Sequence, residues 1–246
     1  MGEKVLMKGN EAIGEAAIRS GCRHFFGYPI TPQTELSAYM AKKMPKINGV
    51  FLQAESEVSA INMVYGAAAA GMRTMTSSSS PGISLKAEGI SYLAAGDLPC
   101  VIVNIVRGGP GLGGIQPAQS DYFQAVKGGG HGDYHLIVLA PNSVQELAHL
   151  TAEAFNISDE YRIPTMILGD GTLGQMMEPV DLDAIPEPIY ADKPWAARGT
   201  DNKRNKNVVE TLYLEASELE KKVLEREKKY NVVKDNLQRY EAHDID

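Results

Sequence analysis

Cysteine is nearly missing from this sequence: the 246 residues hold two, Cys22 and Cys100. Two thiols so far apart cannot ligate an iron–sulfur cluster by themselves, nor do they form a secreted disulfide framework. Positive charge is in deficit, with 24 Lys and Arg against 31 Asp and Glu and a net charge of −7. A nucleic-acid or anionic-membrane surface would want the opposite balance, so neither partner is expected. No apolar run approaches the length of about 18 residues that a spanning helix requires. The start, Met1-Gly2-Glu3-Lys4-Val5-Leu6, lacks a signal-peptide core, and Leu6 stands where a myristoylation motif wants Ser or Thr. The expectation is a soluble, acidic, cytoplasmic protein.

What is present is ordinary globular usage, 43% hydrophobic and 22% charged, with 24 glycines. Helix signals over 10–20, 33–43, 57–70, 83–95, 120–127 and 143–158 alternate with strand signals. The strands are expected at 24–28, 50–53, 73–76, 100–106, 136–139 and 164–168, with a Ser-rich turn after Thr76. Several strands are continuous apolar runs, as expected where helices cover both faces of a sheet. The pattern predicts an α/β fold: a doubly wound, mostly parallel six-stranded sheet over residues 1–177. Residues 178–206 contain Pro179, Pro186, Pro188, Pro194 and the only tryptophan, Trp195, and read as an ordered Pro-rich arm. In 207–246, Leu219, Val223, Tyr230, Val233, Leu237 and Tyr240 recur at helical spacing, interrupted by Arg226. That is an amphipathic C-terminal helix with a heptad-like seam. Because Trp195 and this seam lack an evident cover, the arm and helix are expected to dock on a partner subunit.

Ligands of such sheets bind at the carboxyl ends of strands, which directs attention to four loops. In Tyr28-Pro29-Ile30-Thr31-Pro32 two prolines flank Thr31 and hold a strand-to-helix turn that could aim its hydroxyl into a cleft. The alternative is that Thr31 only caps the next helix. In Gln53-Ala54-Glu55-Ser56-Glu57, Glu57 falls in a first helical turn, where the dipole alone would favour it. In a desolvated site it could instead exchange a proton with a ligand nitrogen. Glu55 and Glu57 make a weak case for a two-acid hydrolase, since nothing fixes their separation. The loop Arg107-Gly108-Gly109-Pro110-Gly111-Leu112-Gly113-Gly114 offers backbone amides and a guanidinium to an anion, or is a flexible surface loop. It is not a Walker loop, because no Gly-Lys-Ser/Thr follows. His131, Asp133 and His135 are too few and too irregular for a zinc site, and no metal is assigned. Gly169-Asp170-Gly171 looks like the magnesium–diphosphate motif of thiamine enzymes but lacks the downstream asparagine segment, so it reads as a decoy turn.

Together, Lys8-Gly9-Asn10-Glu11-Ala12, Gly27 to Pro32, Gln53 to Glu57, Arg107 to Pro110 and Gln116-Pro117-Ala118-Gln119-Ser120-Asp121 resemble the α subunit of 2-oxoacid:ferredoxin oxidoreductases. Gly113 to Tyr122 and the Gly-His-Gly-Asp loop are most similar to the branched-chain (2-oxoisovalerate) branch. The resemblance implies a pyrimidine-binding domain of thiamine diphosphate enzymes, which agrees with the fold read from periodicity. It implies that Glu57 contacts the aminopyrimidine ring and is the catalytic residue. Tyr28, Pro29 and Ile30 would line the cofactor, and Thr31, Arg107 and Gln116 would hold the substrate. The implied reaction is oxidative decarboxylation of a 2-oxoacid, with 3-methyl-2-oxobutanoate expected, to an acyl-CoA and carbon dioxide. Electrons pass to ferredoxin. Thiamine diphosphate would be shared with a thiamine-diphosphate-binding β subunit. Magnesium and the iron–sulfur clusters would lie on partners, which include a γ subunit and a ferredoxin-like iron–sulfur subunit.

Two departures bear on this. Related α subunits continue into a further α/β domain, whereas this sequence ends at Asp246. Where 2-oxoglutarate-preferring relatives have a Pro-Thr-x-Thr segment, this sequence has Ile115-Gln116-Pro117-Ala118, with no added cation for a second carboxylate. The same chemistry on 2-oxoglutarate or pyruvate, a non-catalytic assembly or regulatory subunit, and a free-standing nucleotide-binding domain are the competing readings.

Overall fold

The computed structural model describes residues 4–240, so the last six residues of the 207–246 segment lie outside the described residues. Strand β1 (Lys4–Lys8) leads into α1 (Gly9–Arg19), followed by β2 (His24–Gly27), α2 (Thr34–Lys43) and β3 (Val50–Gln53). Then come α3 (Glu57–Ala69), β4 (Thr74–Ser78), α4 (Pro81–Ala95) and β5 (Val101–Val106). The series closes with α5 (Tyr122–Val126), β6 (Ile137–Leu139), α6 (Val144–Tyr161), β7 (Thr165–Asp170), α7 (Gly171–Gln175), β8 (Met177–Asp181) and α8 (Ala216–Leu237).

Six strands form one sheet in the order β3-β2-β4-β5-β7-β6, and every pairing in it is parallel. The chain winds outward from β2 to β3 and then crosses to β4 on the other side of β2. Each strand of the sheet but the last in the chain, β7, therefore feeds a crossover helix, and the two sheet faces are covered separately. On one face Phe25, Met75, Val103 and Ile105 pack with residues of α1, α2 and α6, including Ile13, Leu36 and Phe155. On the other, Phe26, Ile102 and Met166 pack with α3 and α4 through Ile61, Val64, Ile90 and Leu93. Each fully buried side chain of this kind contributes about 1.5–3 kcal/mol. Hydrophobic burial on both faces explains why β5 reads as an unbroken apolar run.

Local signals set the helix ends. Ser56 Oγ accepts from the Ser59 amide at 3.1 Å and starts α3, and Ser143 Oγ does the same for α6 with Glu146. Gly71 ends α3 at φ 83°, a backbone conformation that costs glycine nothing. Asp170 ends β7, and its side chain accepts from the Leu173 amide at 2.9 Å, so the Gly-Asp-Gly segment is a helix cap.

Three features depart from expectation. β4 runs to Ser78, so Ser77 and Ser78 are buried strand rather than turn. β1 and β8 pair as a separate antiparallel two-stranded sheet, with Pro179 opposite Leu6, in a stretch where prolines were expected to break regular structure. Trp195 does not lack a cover: it packs on the second core and its ring lies 4.4 Å from the Arg162 guanidinium carbon. Nearby, Lys193 bonds Asp159, which also pairs with buried Arg73 at 2.8 Å, and Ala196 is wholly buried. The arm thus packs on its own domain up to Val209.

Residues 210–246 separate as a second unit. Within its helix α8, Leu219, Val223, Leu224 and Val232 are exposed and Tyr230 is buried. Among the described residues, no helix is long and apolar enough to cross a membrane.

Candidate active site

The change of winding direction lies between β2 and β4, and outside their carboxyl ends a doubly wound sheet opens a crevice. The loops that frame it come from four adjacent strands, β3, β2, β4 and β5.

From β3, Glu57 opens α3 and is 6% exposed, whereas Glu55 is exposed. The two carboxyls therefore stand in different environments, and no carboxylate pair forms. From β4, Ser78, Ser79 and Ser80 lead into α4, whose second residue is Gly82. A Cβ on Gly82 would stand 2.0 Å from Ser78 Oγ and 2.9 Å from Glu57 Oε1. Only glycine keeps the Glu57 carboxyl and the Ser78 hydroxyl clear of α4 at this point. Ser78 and Ser79 are fully buried, and neither hydroxyl has a hydrogen-bond partner. Native proteins rarely leave such groups unpaired without a ligand or water to satisfy them.

From β2, the turn is organised by a residue that spacing did not single out. Gln33 is wholly buried; its Oε1 accepts from Ser77 Oγ at 2.6 Å and Ser37 Oγ at 3.0 Å, and its Nε2 donates to the Tyr28 carbonyl at 3.3 Å. Gln33, not Thr31, occupies the cap position of α2, which removes the capping alternative for Thr31. Tyr28 and Ile30 are half-buried, and Pro29 and Thr31 are exposed.

From β5, Arg107 is 7% exposed. Its Nη1 donates to the Thr31 carbonyl at 3.1 Å and its Nη2 to the Leu112 carbonyl at 3.0 Å, while Nε is buried without a partner. The Arg107 amide donates to Ser80 Oγ at 3.1 Å. Gln116 is exposed, and its carbonyl accepts from the Gly108 amide at 2.9 Å. The glycine loop is thus a closed hairpin pinned to the β2 turn through one guanidinium. Asn104 supports it: Oδ1 accepts from the Ser80 amide at 3.1 Å and Nδ2 donates to Asp121 at 2.9 Å.

Thr31, Arg107 and Gln116 are therefore joined through one set of bonds, and Glu57 shares a wall with Ser78 and Gly82. Ser78, Gly82, Gln33 and Asn104 escaped the sequence reading; the signal for the first three was position in or beyond a strand end, and for Asn104 it was the one polar residue inside an apolar strand. Lys86 escaped as well. It is fully buried on α4, and its ammonium donates to Thr76 Oγ1 at 2.8 Å and to the Ser77 carbonyl at 2.9 Å. Burial pushes it down to about 7, opposed by the Glu57 charge, which raises it.

In the histidine loop the His131 carbonyl accepts from Ser91 Oγ, and among the described residues no three or more metal-ligating side chains come together. A cavity of about 340 Å³ beyond β5 and β7, lined by Val106, Gln119, Asp121 and Asp170, contains none of the residues expected from the sequence.

A doubly wound domain whose switch-point crevice holds a buried glutamate, orphan hydroxyls and a loop-bound arginine defines a ligand-binding α/β domain of the cofactor-enzyme class. A family described as pyruvate flavodoxin/ferredoxin oxidoreductase, thiamine diphosphate-binding, matches residues 15–244. The chain belongs to that family. Ketoisovalerate oxidoreductase subunit VorB of Methanothermobacter marburgensis is 50% identical over 241 residues, covering 98% of this chain and 68% of the relative. A 2-oxoglutarate synthase subunit, KorA, of Methanocaldococcus jannaschii is 44% identical over 188 residues, or 76% of this chain and 51% of the relative. Among solved structures, 2-oxoglutarate:ferredoxin oxidoreductase from Magnetococcus marinus, with 2-oxoglutarate, coenzyme A and succinyl-CoA bound, superposes with a TM-score of 0.86 at 30% identity. That match covers all of this chain and 47% of the solved one. The chain therefore spans two-thirds of its ketoisovalerate relative and about half of the others.

Proposed function

We propose that this chain is the aminopyrimidine-side subunit of a cytoplasmic oxidoreductase that converts a branched 2-oxoacid, coenzyme A and two oxidised ferredoxins into acyl-CoA, carbon dioxide and two reduced ferredoxins. The observation that carries the proposal is the wall made by Glu57, Ser78 and Gly82 at the switch-point crevice. A flat ring bearing nitrogens and an amine fits it: the carboxyl can bond a ring nitrogen, the hydroxyl is unclaimed, and α4 offers no side chain at Gly82. When bound, thiamine diphosphate supplies the electron sink for loss of carbon dioxide.

Glu57 Oε1, on a residue only 6% exposed, would share a proton with the ring nitrogen across a strong hydrogen bond. Tyr28, Pro29 and Ile30 form the loop beside it. Arg107, with the Thr31 hydroxyl and the Gln116 amide on either side, receives the substrate carboxylate. Its unpartnered Nε and a charge-assisted bond suit that task. The diphosphate and its magnesium fall to a β subunit, and iron–sulfur clusters to a γ subunit and a ferredoxin-like subunit. Of the acidic residues beyond β5 and β7, Asp121 accepts from Asn104 and Asp170 from the Leu173 amide. Support for a branched acid comes from the 50% identity to a ketoisovalerate oxidoreductase subunit and from the uncharged Ile115-Gln116-Pro117-Ala118 segment.

The test is anoxic viologen reduction by the assembled complex with thiamine diphosphate, magnesium and coenzyme A. The acids compared are 3-methyl-2-oxobutanoate, pyruvate and 2-oxoglutarate. Turnover is expected to be fastest on the branched acid and to fall about 10²- to 10⁴-fold in Glu57→Gln. Equal rates in wild type and Glu57→Gln would sink the catalytic reading in favour of an assembly subunit.

A further inference from the structure

A lysine with no exposed surface is unusual, because an ammonium group is costly to bury unless something compensates it. Lys86 lies on the second turn of α4 and reaches back to the end of β4, where Thr76 Oγ1 and the Ser77 carbonyl take two of its protons. Strand alternation puts Thr76 and Ser78 on the same face of β4, so the column running toward the crevice is Lys86, Thr76, Ser78 and then Glu57. Ser78 and Glu57 are joined by the space at Gly82, from which both stand within 3 Å of one point. Both hydrogen-bond acceptors of Lys86 are neutral. Of the ionisable groups on the elements packed around it, Glu57 at the start of α3 is the one that acts on its charge. Glu88, two residues further along α4 and so on the opposite side of the helix, is exposed and accepts from the Tyr92 hydroxyl instead.

We propose that Lys86 is a positioning residue for Glu57: its buried ammonium fastens α4 to the end of β4 and supplies the positive charge against which the Glu57 carboxylate is held. Two consequences follow. The first turn of α4, which brings Gly82 against Glu57, is tied to the sheet by a charged bond that a neutral side chain would not provide. Any ligand that takes up the negative charge of Glu57 also weakens the hold of Lys86 on its proton, so loading the crevice is linked to proton release from beneath it. The placement of Lys86 beneath Ser78 and Gly82 is observed, the pairing is what is proposed, and its catalytic meaning rests on the reading of Glu57 given above.

The test is a lysine-selective ¹³C NMR titration of the full chain from pH 5.5 to 9, with the Lys86 signal identified by its loss in Lys86→Met. The wild-type signal is expected to titrate near neutrality, and in Glu57→Gln its midpoint should fall by about one pH unit or more. An unchanged midpoint in Glu57→Gln overturns the pairing; where Lys86→Met fails to fold, Lys86→Arg removes the same lysine signal and serves for the assignment. In the assembled complex, Lys86→Met should displace the pH profile of kcat, whereas a purely structural role would lower activity equally at every pH. The two ideas separate cleanly. Lost turnover in Glu57→Gln with an unmoved lysine keeps the function and removes the pairing. A moved lysine with undiminished turnover keeps the pairing and removes the catalytic role.

Discussion

β4 and β5 are neighbours at the centre of the same sheet, and both are buried along their whole length. β5 reads Val-Ile-Val-Asn-Ile-Val, and its one polar side chain, Asn104, has both ends hydrogen-bonded. β4 reads Thr-Met-Thr-Ser-Ser, and every polar side chain in it is fully buried. Gln33 takes the Ser77 hydroxyl and Lys86 takes the Thr76 oxygen, but Thr74 at the start of the strand and Ser78 at its end find nothing, nor does Ser79 just beyond. The strands cost the fold different amounts. β5 gains from transfer of apolar surface out of water, while β4 must find partners for hydroxyls that water satisfied before folding. Unsatisfied hydroxyls thus stand at both ends of β4, and the pair at Ser78 and Ser79 is the one beside the switch point, where a ligand could satisfy it. On the proposed reading, β5 serves stability and the end of β4 serves recognition.

The largest effect that would break this division is on stability. Ile102 of β5 is fully buried in the core with α3 and α4. Ile102→Ala is expected to cost about 2–5 kcal/mol. Urea unfolding should show it as a lower midpoint, with cofactor affinity in the assembled complex unchanged wherever the chain stays folded. A loss of affinity as large as the loss of stability would mean that the two strands do not divide their work.

A smaller effect comes from the lysine beneath β4. Burial depresses Lys86 in the folded chain to about 7, so between that value and the ordinary lysine range the unfolded chain holds a proton that the folded chain does not. Stability should therefore rise with pH above about 7, by at most about 1.4 kcal/mol per pH unit for one proton. The rise turns over at higher pH, because burial pushes Cys22 up to about 12 and raises Cys100 too, and unfolding would let both thiols ionise. Urea midpoints at pH 7, 8 and 8.5 check the slope, which Lys86→Met should flatten; a wild-type slope of zero or opposite sign would contradict it.

Much of this architecture was legible before any coordinates. The six strands and their helices follow from apolar runs and alternation, because both sheet faces are covered and the hydrophobic pattern is strong there. Glu57, Thr31 and Arg107 were legible as residues at strand ends, and the structure puts Thr31 and Arg107 in direct contact. What escaped is polarity that is buried. Ser77 and Ser78 read as a turn because four consecutive serines are usually solvated; only the neighbouring strands, β2 and β5, make them interior. Lys86, in Ile83-Ser84-Leu85-Lys86, reads as a solvent-facing position on a helix, and nothing local says that its ammonium points at β4. β1 and β8 escaped because a two-stranded ribbon with an exposed face carries little apolar signal, and its halves lie more than 160 residues apart in the chain. Trp195 looked uncovered because its partner, Arg162, belongs to a distant loop.

The smallest stability effect is the sharpest test of the comparison. Removing a buried hydroxyl normally leaves its former partner unsatisfied, and that partner accounts for much of the cost. Ser78 Oγ has no partner, so Ser78→Ala strands nothing and relieves the chain of one unsatisfied group. Its effect on stability is expected to lie within about 0.5 kcal/mol of zero, or to be slightly favourable. Affinity should move the other way: if the hydroxyl is held open for a ring substituent, its loss removes one hydrogen bond, about 0.5–1.5 kcal/mol or roughly two- to tenfold in Kd for thiamine diphosphate. Gly82→Ala should weaken binding further, because the new methyl group forces both Ser78 and Glu57 from their places. The two variants together separate recognition from support. Unchanged affinity in Ser78→Ala with weakened affinity in Gly82→Ala would make the wall a matter of shape around Glu57 alone. A clear loss of stability in Ser78→Ala would show that β4 is held by its hydroxyls after all, and that its resemblance to β5 runs deeper than its composition suggests.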